Sequence, residues 1–115
     1  RGVFQGHIVV DRIAQKTDGH QLNRALLLSD HAEIDSKPVL EIYADDVKCS
    51  HGATAGDIDD DQLFYLRARG IPAEQARLLV VRGFLAAAAE GLGDEAVRNV
   101  MLAELDKALG LEGIE

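Results

Sequence analysis

Ala44-Asp45-Asp46-Val47-Lys48-Cys49-Ser50-His51-Gly52-Ala53-Thr54-Ala55-Gly56 holds the only cysteine of the chain, a histidine two residues later and two adjacent aspartates upstream. If the stretch is extended, its period of two puts Asp45, Val47, Cys49 and His51 on one face and Asp46, Lys48 and Ser50 on the other. A thiol and an imidazole on one face offer a soft metal site, or a nucleophile with its base. The same pair reads equally as a small buried cysteine at a strand end beside a hydrogen-bonded surface histidine.

Residues 1–54 are strand-like. Val3-Phe4, Ile8-Val9-Val10, Ala25 to Leu28, Val39 to Tyr43 and Val47 to Cys49 supply β-branched and aromatic runs. Turn signals separate them at Thr17-Asp18-Gly19, Ser29-Asp30-His31 and Asp35-Ser36-Lys37-Pro38. Apolar centres near Val9, Leu27 and Ile42 recur at an interval of about 15–18 residues, short for a helical repeat and suited to the stacked coils of a parallel β-helix. An antiparallel meander gives nearly the same pattern, so periodicity alone leaves both open.

After a small-residue connector at 53–58 the period changes. Asp59-Asp60-Asp61-Gln62 has the form of a capping box, and its carboxylates are better explained by a helix start than by a cation site. The spacing predicts a first helix from about Asp60 to Arg69, burying Leu63, Phe64 and Leu66 and stopping at Gly70. Pro72 suits the start of a second helix over about Ala73 to Glu90, with Ala76, Leu79, Val80, Gly83, Phe84 and Ala87 on its buried face. Gly83 in that face predicts close approach of a neighbouring element. Asp94 caps a third helix, whose stripe Val97, Met101, Leu105 and Leu109 is expected to fold back on the second, and Gly110 to Glu115 reads as frayed.

Composition narrows the function classes. The 115 residues amount to one domain's worth of chain, and a net charge of −8 leaves no basic stripe for a nucleic-acid backbone. No apolar run is long enough to span a bilayer. The lone cysteine excludes an internal disulfide and suits a reducing cytoplasm. One cysteine with His7, His20 and His31 scattered elsewhere does not make a structural zinc site, so a metal on Cys49 and His51 needs ligands from another chain. No third group orients the pair for hydrolysis. There is also no phosphate-binding glycine loop, and any ATP chemistry falls to a partner.

Several separated segments carry a wider pattern: Ala14-Gln15-Lys16-Thr17-Asp18-Gly19, Asn23, Leu26-Leu27-Leu28-Ser29, Pro38-Val39-Leu40-Glu41-Ile42, Ala44 to Thr54, Leu63-Phe64-Tyr65-Leu66 and Arg69-Gly70-Ile71. In that order and spacing they resemble the C-terminal part of the SufB/SufD family of iron–sulfur cluster assembly proteins. The resemblance covers about Phe4 to Phe84 and, more loosely, the last helix. It implies a mixed α and β chain: residues 1–54 as the last coils of a right-handed parallel β-helix, residues 55–115 as a helical domain of about three helices. Family members are several hundred residues long, and an opening Arg1-Gly2-Val3 without an initiator methionine is expected of a fragment.

The resemblance also implies partners and roles. Its members form a SufB–SufC–SufD complex in which SufC is an ABC-type ATPase, the β-helices of SufB and SufD pair, and each helical domain holds a SufC. Carried over by position, Cys49 and His51 lie at the SufB–SufD seam, with His51 a candidate ligand for iron or the nascent cluster. Leu63, Phe64, Tyr65 and Leu66 become a candidate ATPase-facing helix. Gly52 stands where the SufB pattern has a glutamate, which points to the SufD branch. The expected role is a non-catalytic cytoplasmic scaffold; a SufB-like scaffold and a purely structural interaction module are the alternatives.

Overall fold

The structure is a computed structural model, and it describes residues 1–112. Four strands come first: β1 (Gly2–Val10), β2 (Asp18–Leu27), β3 (Ile34–Ile42) and β4 (Lys48–Asp57). Three helices follow, α1 (Asp60–Ala68), α2 (Ala73–Ala89) and α3 (Glu95–Leu109). The chain divides into two compact units, Arg1–Asp57 and a second beginning at Ile58.

In the first unit β1 pairs with β3 and β2 with β4, both parallel. Gly2 lies opposite Ile34, an offset of 32 residues, and Asp18 opposite Lys48, an offset of 30. Parallel strands need a long crossover, and here the intervening strand supplies it. The antiparallel meander is thereby excluded. Strand-on-strand stacking at a near-constant offset is consistent with a β-helix carrying two strands per coil. The 15–18-residue apolar interval is half of that coil.

Pairing overrides several turn signals. Asp35-Ser36-Lys37-Pro38 is not a turn; it lies inside β3 opposite Val3 to Gly6. Proline is tolerated in strands with a free edge, and among the described residues β3 has β1 as its only neighbour. Asp18-Gly19 opens β2, and Ala53 to Asp57, expected as a connector, completes β4 against Asn23 to Leu27. Only Ser29-Asp30-His31 remains a turn, closed by the Ala32 amide on the Ser29 carbonyl at 3.1 Å. Backbone bonds also stack the corners: the Tyr43 amide donates to the Val10 carbonyl at 2.9 Å, and the Lys16 amide to the Asp46 carbonyl at 2.7 Å. Lys16 takes a left-handed φ of 67° at that corner, where its ammonium also pairs with the Asp46 carboxylate.

The helices begin where the sequence says. The Asp59 carboxylate accepts the Asp61 amide at 2.9 Å, and that of Asp94 accepts the Val97 amide at 3.1 Å. Both α1 and α3 end on a left-handed glycine, Gly70 at φ 89° and Gly110 at φ 69°. The next residue closes each end by bonding back five residues, Ile71 to the Leu66 carbonyl and Leu111 to that of Asp106. Gly110 and Leu111 therefore form a cap with Leu111 buried, not a frayed end. The remainder of that expectation, residues 113–115, lies outside the described residues.

The buried faces match the sequence reading in part: on α2, Ala76 is buried and Leu79, Val80 and Phe84 are half-buried as expected, whereas Gly83 and Ala87 are exposed. In α2 the buried side chains are Ala76, Val81 and Ala89. Gly83 is exposed, and a Cβ built there meets nothing within 4 Å, so no neighbour approaches it. In α3 the half-buried positions are Arg98, Leu102, Leu105, Asp106 and Leu109, whereas Val97, Val100 and Met101 face outward. Leu105 and Leu109 of the expected stripe are thus half-buried, and a charged pair joins α2 to α3 beside them. Arg82 grips Asp106 with two bonds, one from Nη2 to Oδ2 at 3.1 Å and one from Nε to Oδ1. That hydrogen bond holds the Asp106 carboxyl below its ordinary range, against an opposing effect of desolvation.

Since folding lowers the pKa of Asp106, its stabilisation is present above the ordinary carboxylate range and is lost as pH falls through the depressed value. Asp106→Asn is expected to lower the melting temperature by a few degrees at neutral pH. Melting curves at neutral and strongly acid pH check this: the difference between variant and parent shrinks in acid.

Candidate functional site

Cys49 and His51 both lie in β4, and strand alternation holds for them from Lys48 onward. Asp45 and Asp46 do not share that alternation. They form a bend before the strand, where the Asp46 amide donates to Gln15 Oε1 at 2.9 Å. Asp46 is thus a corner residue that ties one coil to the next.

Cys49 is a half-buried free thiol paired in register with Gly19. Its Sγ and the Ile8 Cγ2 each lie 3.9 Å from the point where a Cβ on Gly19 would stand, so the thiol points between the two sheets. The next position on that side, His51, is paired with Gln21 and exposed. Gln21 turns inward as well, its amide lying over Gly6 of β1. One lane of the first unit therefore carries a thiol, an imidazole and a carboxamide rather than aliphatic side chains alone. Thiolate and imidazole both suit iron. Among the described residues no group of three or more His, Cys, Asp or Glu side chains gathers into a metal-holding cluster. Two donors on one strand leave a metal's remaining positions to be supplied from elsewhere.

The opposite face of the same strands holds an array that the sequence reading missed. His20 Nδ1 lies 2.6 Å from Ser50 Oγ, and Nε2 lies 2.6 Å from Asp18 Oδ1. The order serine, imidazole, carboxylate is that of a nucleophile, its base and an orienting group. These side chains stand on an open strand face, with His20 and Asp18 about 59% and 64% exposed, and nothing there excludes water from a reaction. The array acts as a polar clasp across coils. Its signal in the sequence is the offset of 30 between His20 and Ser50, visible only once the coil length is known.

In the second unit the candidate docking residues divide by face. Leu63 and Leu66 are half-buried against the helical layer. Phe64, expected in the core, is 75% exposed, and Tyr65 is 57% exposed with the Arg69 guanidinium 4.9 Å from its ring centre. The reason is phase: α1 is short, and only the side of Leu63 and Leu66 faces α2. Phe64 lines an open groove of about 610 Å³ together with Leu63, Arg67, Ala73 and Arg77.

Stacked parallel coils, a soft-donor lane at an edge strand and an appended helical unit define a class of coil-built proteins rather than a closed single-site fold. Comparison with known proteins gives the family. The family model described as SUF system FeS cluster assembly, SufBD core domain, matches residues 1–84, and the chain belongs to that family. It is most like SufD. It is 51% identical to the iron–sulfur cluster assembly protein SufD of Escherichia coli K12 over 109 residues, which is 95% of this chain and 26% of that protein. It is 46% identical to the chloroplastic protein ABCI7 of Arabidopsis thaliana over 86% of this chain and 21% of that protein, and 38% identical to SufD of Bacillus subtilis over 91% and 24%. The chain therefore spans about a quarter of the length of these relatives. Among the described residues no helix is long and apolar enough to cross a membrane.

Removing the clasp tests how far it ties the coils. His20→Ala is expected to lower the unfolding free energy by about 0.5–1 kcal/mol, since exposed hydrogen bonds and ion pairs contribute little each. Urea titration of the parent and the variant reads it directly.

Proposed function

We propose that this chain is the SufD-type part of an iron–sulfur cluster assembly scaffold, acting without catalysis of its own. The observation that carries the reading is the position of β4. It bears Cys49 and His51, and among the described residues it pairs with β2 alone. A strand with a free edge is a template for pairing with another chain. A SufB-like subunit joined there would bring further donors to the exposed imidazole and the half-buried thiol. Iron or a nascent cluster is the cargo at that seam, held jointly and then passed on to apoproteins.

In this reading the helical unit holds an ABC-type ATPase, SufC, through α1 and α2. Exposed Phe64 and Tyr65 support the assignment, because large aromatic side chains are the usual anchors of protein interfaces. ATP hydrolysis belongs to that partner, and the assembly works in the cytoplasm of a bacterium or its organellar counterpart. Gly52, where a SufB-type chain is expected to carry glutamate, favours the SufD role over a SufB-like one.

A second reading makes Cys49 a packing residue and leaves all function to the helical face. The contact of its sulfur with the Gly19–Ile8 region favours that alternative. The two readings diverge on His51. His51→Ala in the reconstituted complex is expected to reduce iron content and cluster yield severalfold while leaving the circular dichroism spectrum and ATPase binding unchanged. Unchanged cluster yield would remove His51 from the seam and leave the interaction module standing.

A further inference from the structure

We infer that Gln21 is a positioning residue for His51: its carboxamide oxygen accepts the N–H of one imidazole nitrogen and so presents the other to iron. The inference rests on the reading of His51 as a metal donor at the seam and names the group that orients it.

Register sets the two side by side. Gln21 of β2 lies opposite His51 of β4 in the parallel ladder, and both stand on the lane that carries Cys49. Paired residues on neighbouring strands are about 4.8 Å apart. The next positions on the same face, Gly19 and Asn23 on β2 and Cys49 and Ala53 on β4, are about 6.7 Å away along the strand. Room for a long polar side chain comes from Gly6 on β1. A Cβ built there overlaps the Gln21 carboxamide, so the amide is housed where residue 6 has no side chain. Gly6 is paired in turn with Pro38 of β3, and neither carries a side-chain donor or acceptor. In these two registers only Gln21 and His51 have side chains that can hydrogen-bond.

Gln21 is half-buried and His51 exposed. Among the described residues neither side chain forms a hydrogen bond or ion pair in this structure. A carboxamide placed there without a partner loses hydration, a cost that leucine in the same space avoids. Packing alone is thus a poor reason for glutamine at this position. A neutral imidazole has one N–H and one free nitrogen, and the bond made by the N–H decides which nitrogen is free. Metal-binding histidines commonly donate that N–H to an oxygen acceptor, which fixes the ring and raises its basicity. The bond belongs to the metal-loaded ring: contacts of this kind are commonly long in an unfilled site and tighten when it is filled.

The test uses the full-length protein reconstituted with its SufB-like partner and the ATPase, with iron(II) titrated anaerobically and cobalt(II) as a spectroscopic stand-in. Gln21→Leu is expected to weaken iron(II) binding about tenfold and to change the cobalt d–d bands toward those of His51→Ala. Gln21→Glu keeps an acceptor oxygen and is expected to restore near-parent affinity and bands. Gly6→Ala leaves Gln21 in place but fills its space; Gly6 has no left-handed φ, so the backbone accepts alanine. This variant is expected to behave as Gln21→Leu does. Parent-like iron(II) affinity or parent-like cobalt bands in both Gln21→Leu and Gly6→Ala, whatever their melting temperatures, overturns the positioning role and leaves the seam reading intact. Iron(II) binding that survives His51→Ala overturns the seam reading, and the positioning role with it.

Discussion

The first unit depends on one constraint, that a strand must meet its own kind one coil later at an offset of 30 or 32 residues. No large side chain among the described residues is fully buried, and Val10 and Ala44 are the buried apolar residues of this unit. A dense hydrophobic centre is therefore not what fixes the register. Backbone ladders fix it, and side chains then pair across coils at matching separations. Arg1 meets Asp35, His7 meets Glu41 at 3.4 Å, Lys16 meets Asp46 and His20 meets Ser50. Each of these is exposed and weak alone. Together they repeat the coil length in side-chain chemistry.

The same constraint decides where function can sit. Parallel coils leave edges, and edges seek partners. With Cys49 and His51 on β4, the soft donors occur on a strand able to join another chain. Two donors make a poor closed metal site and a reasonable half of a shared one.

The helical unit follows different physics. Its helices are short, its buried residues are mostly alanine and valine, and Arg82–Asp106 joins α2 to α3. On α3, Leu102, Leu105 and Leu109 are half-buried, whereas Val97, Val100 and Met101 are exposed. With Phe64 and Tyr65 also exposed, the unit displays more apolar surface than a small solitary bundle needs.

Local chemistry was readable from the sequence because it acts over a few residues. Asp59 and Asp94 announced helix starts, Gly70 and Gly110 supplied the left-handed ends, and the change of period after Ile58 separated strands from helices. Spaced motifs from Ala14 to Ile71 gave the family. Tertiary structure alone decided what depends on residues far apart. Asp35 to Pro38 reads as a turn until β1 pairs with it, Ala53 to Asp57 reads as a connector until β2 does, and His20 has no visible relation to Ser50. Phe64 reads as core because its neighbours do, but the phase of one short helix against another turned it outward. Propensity and spacing act through the chain; register and facing are set by the surface each element meets.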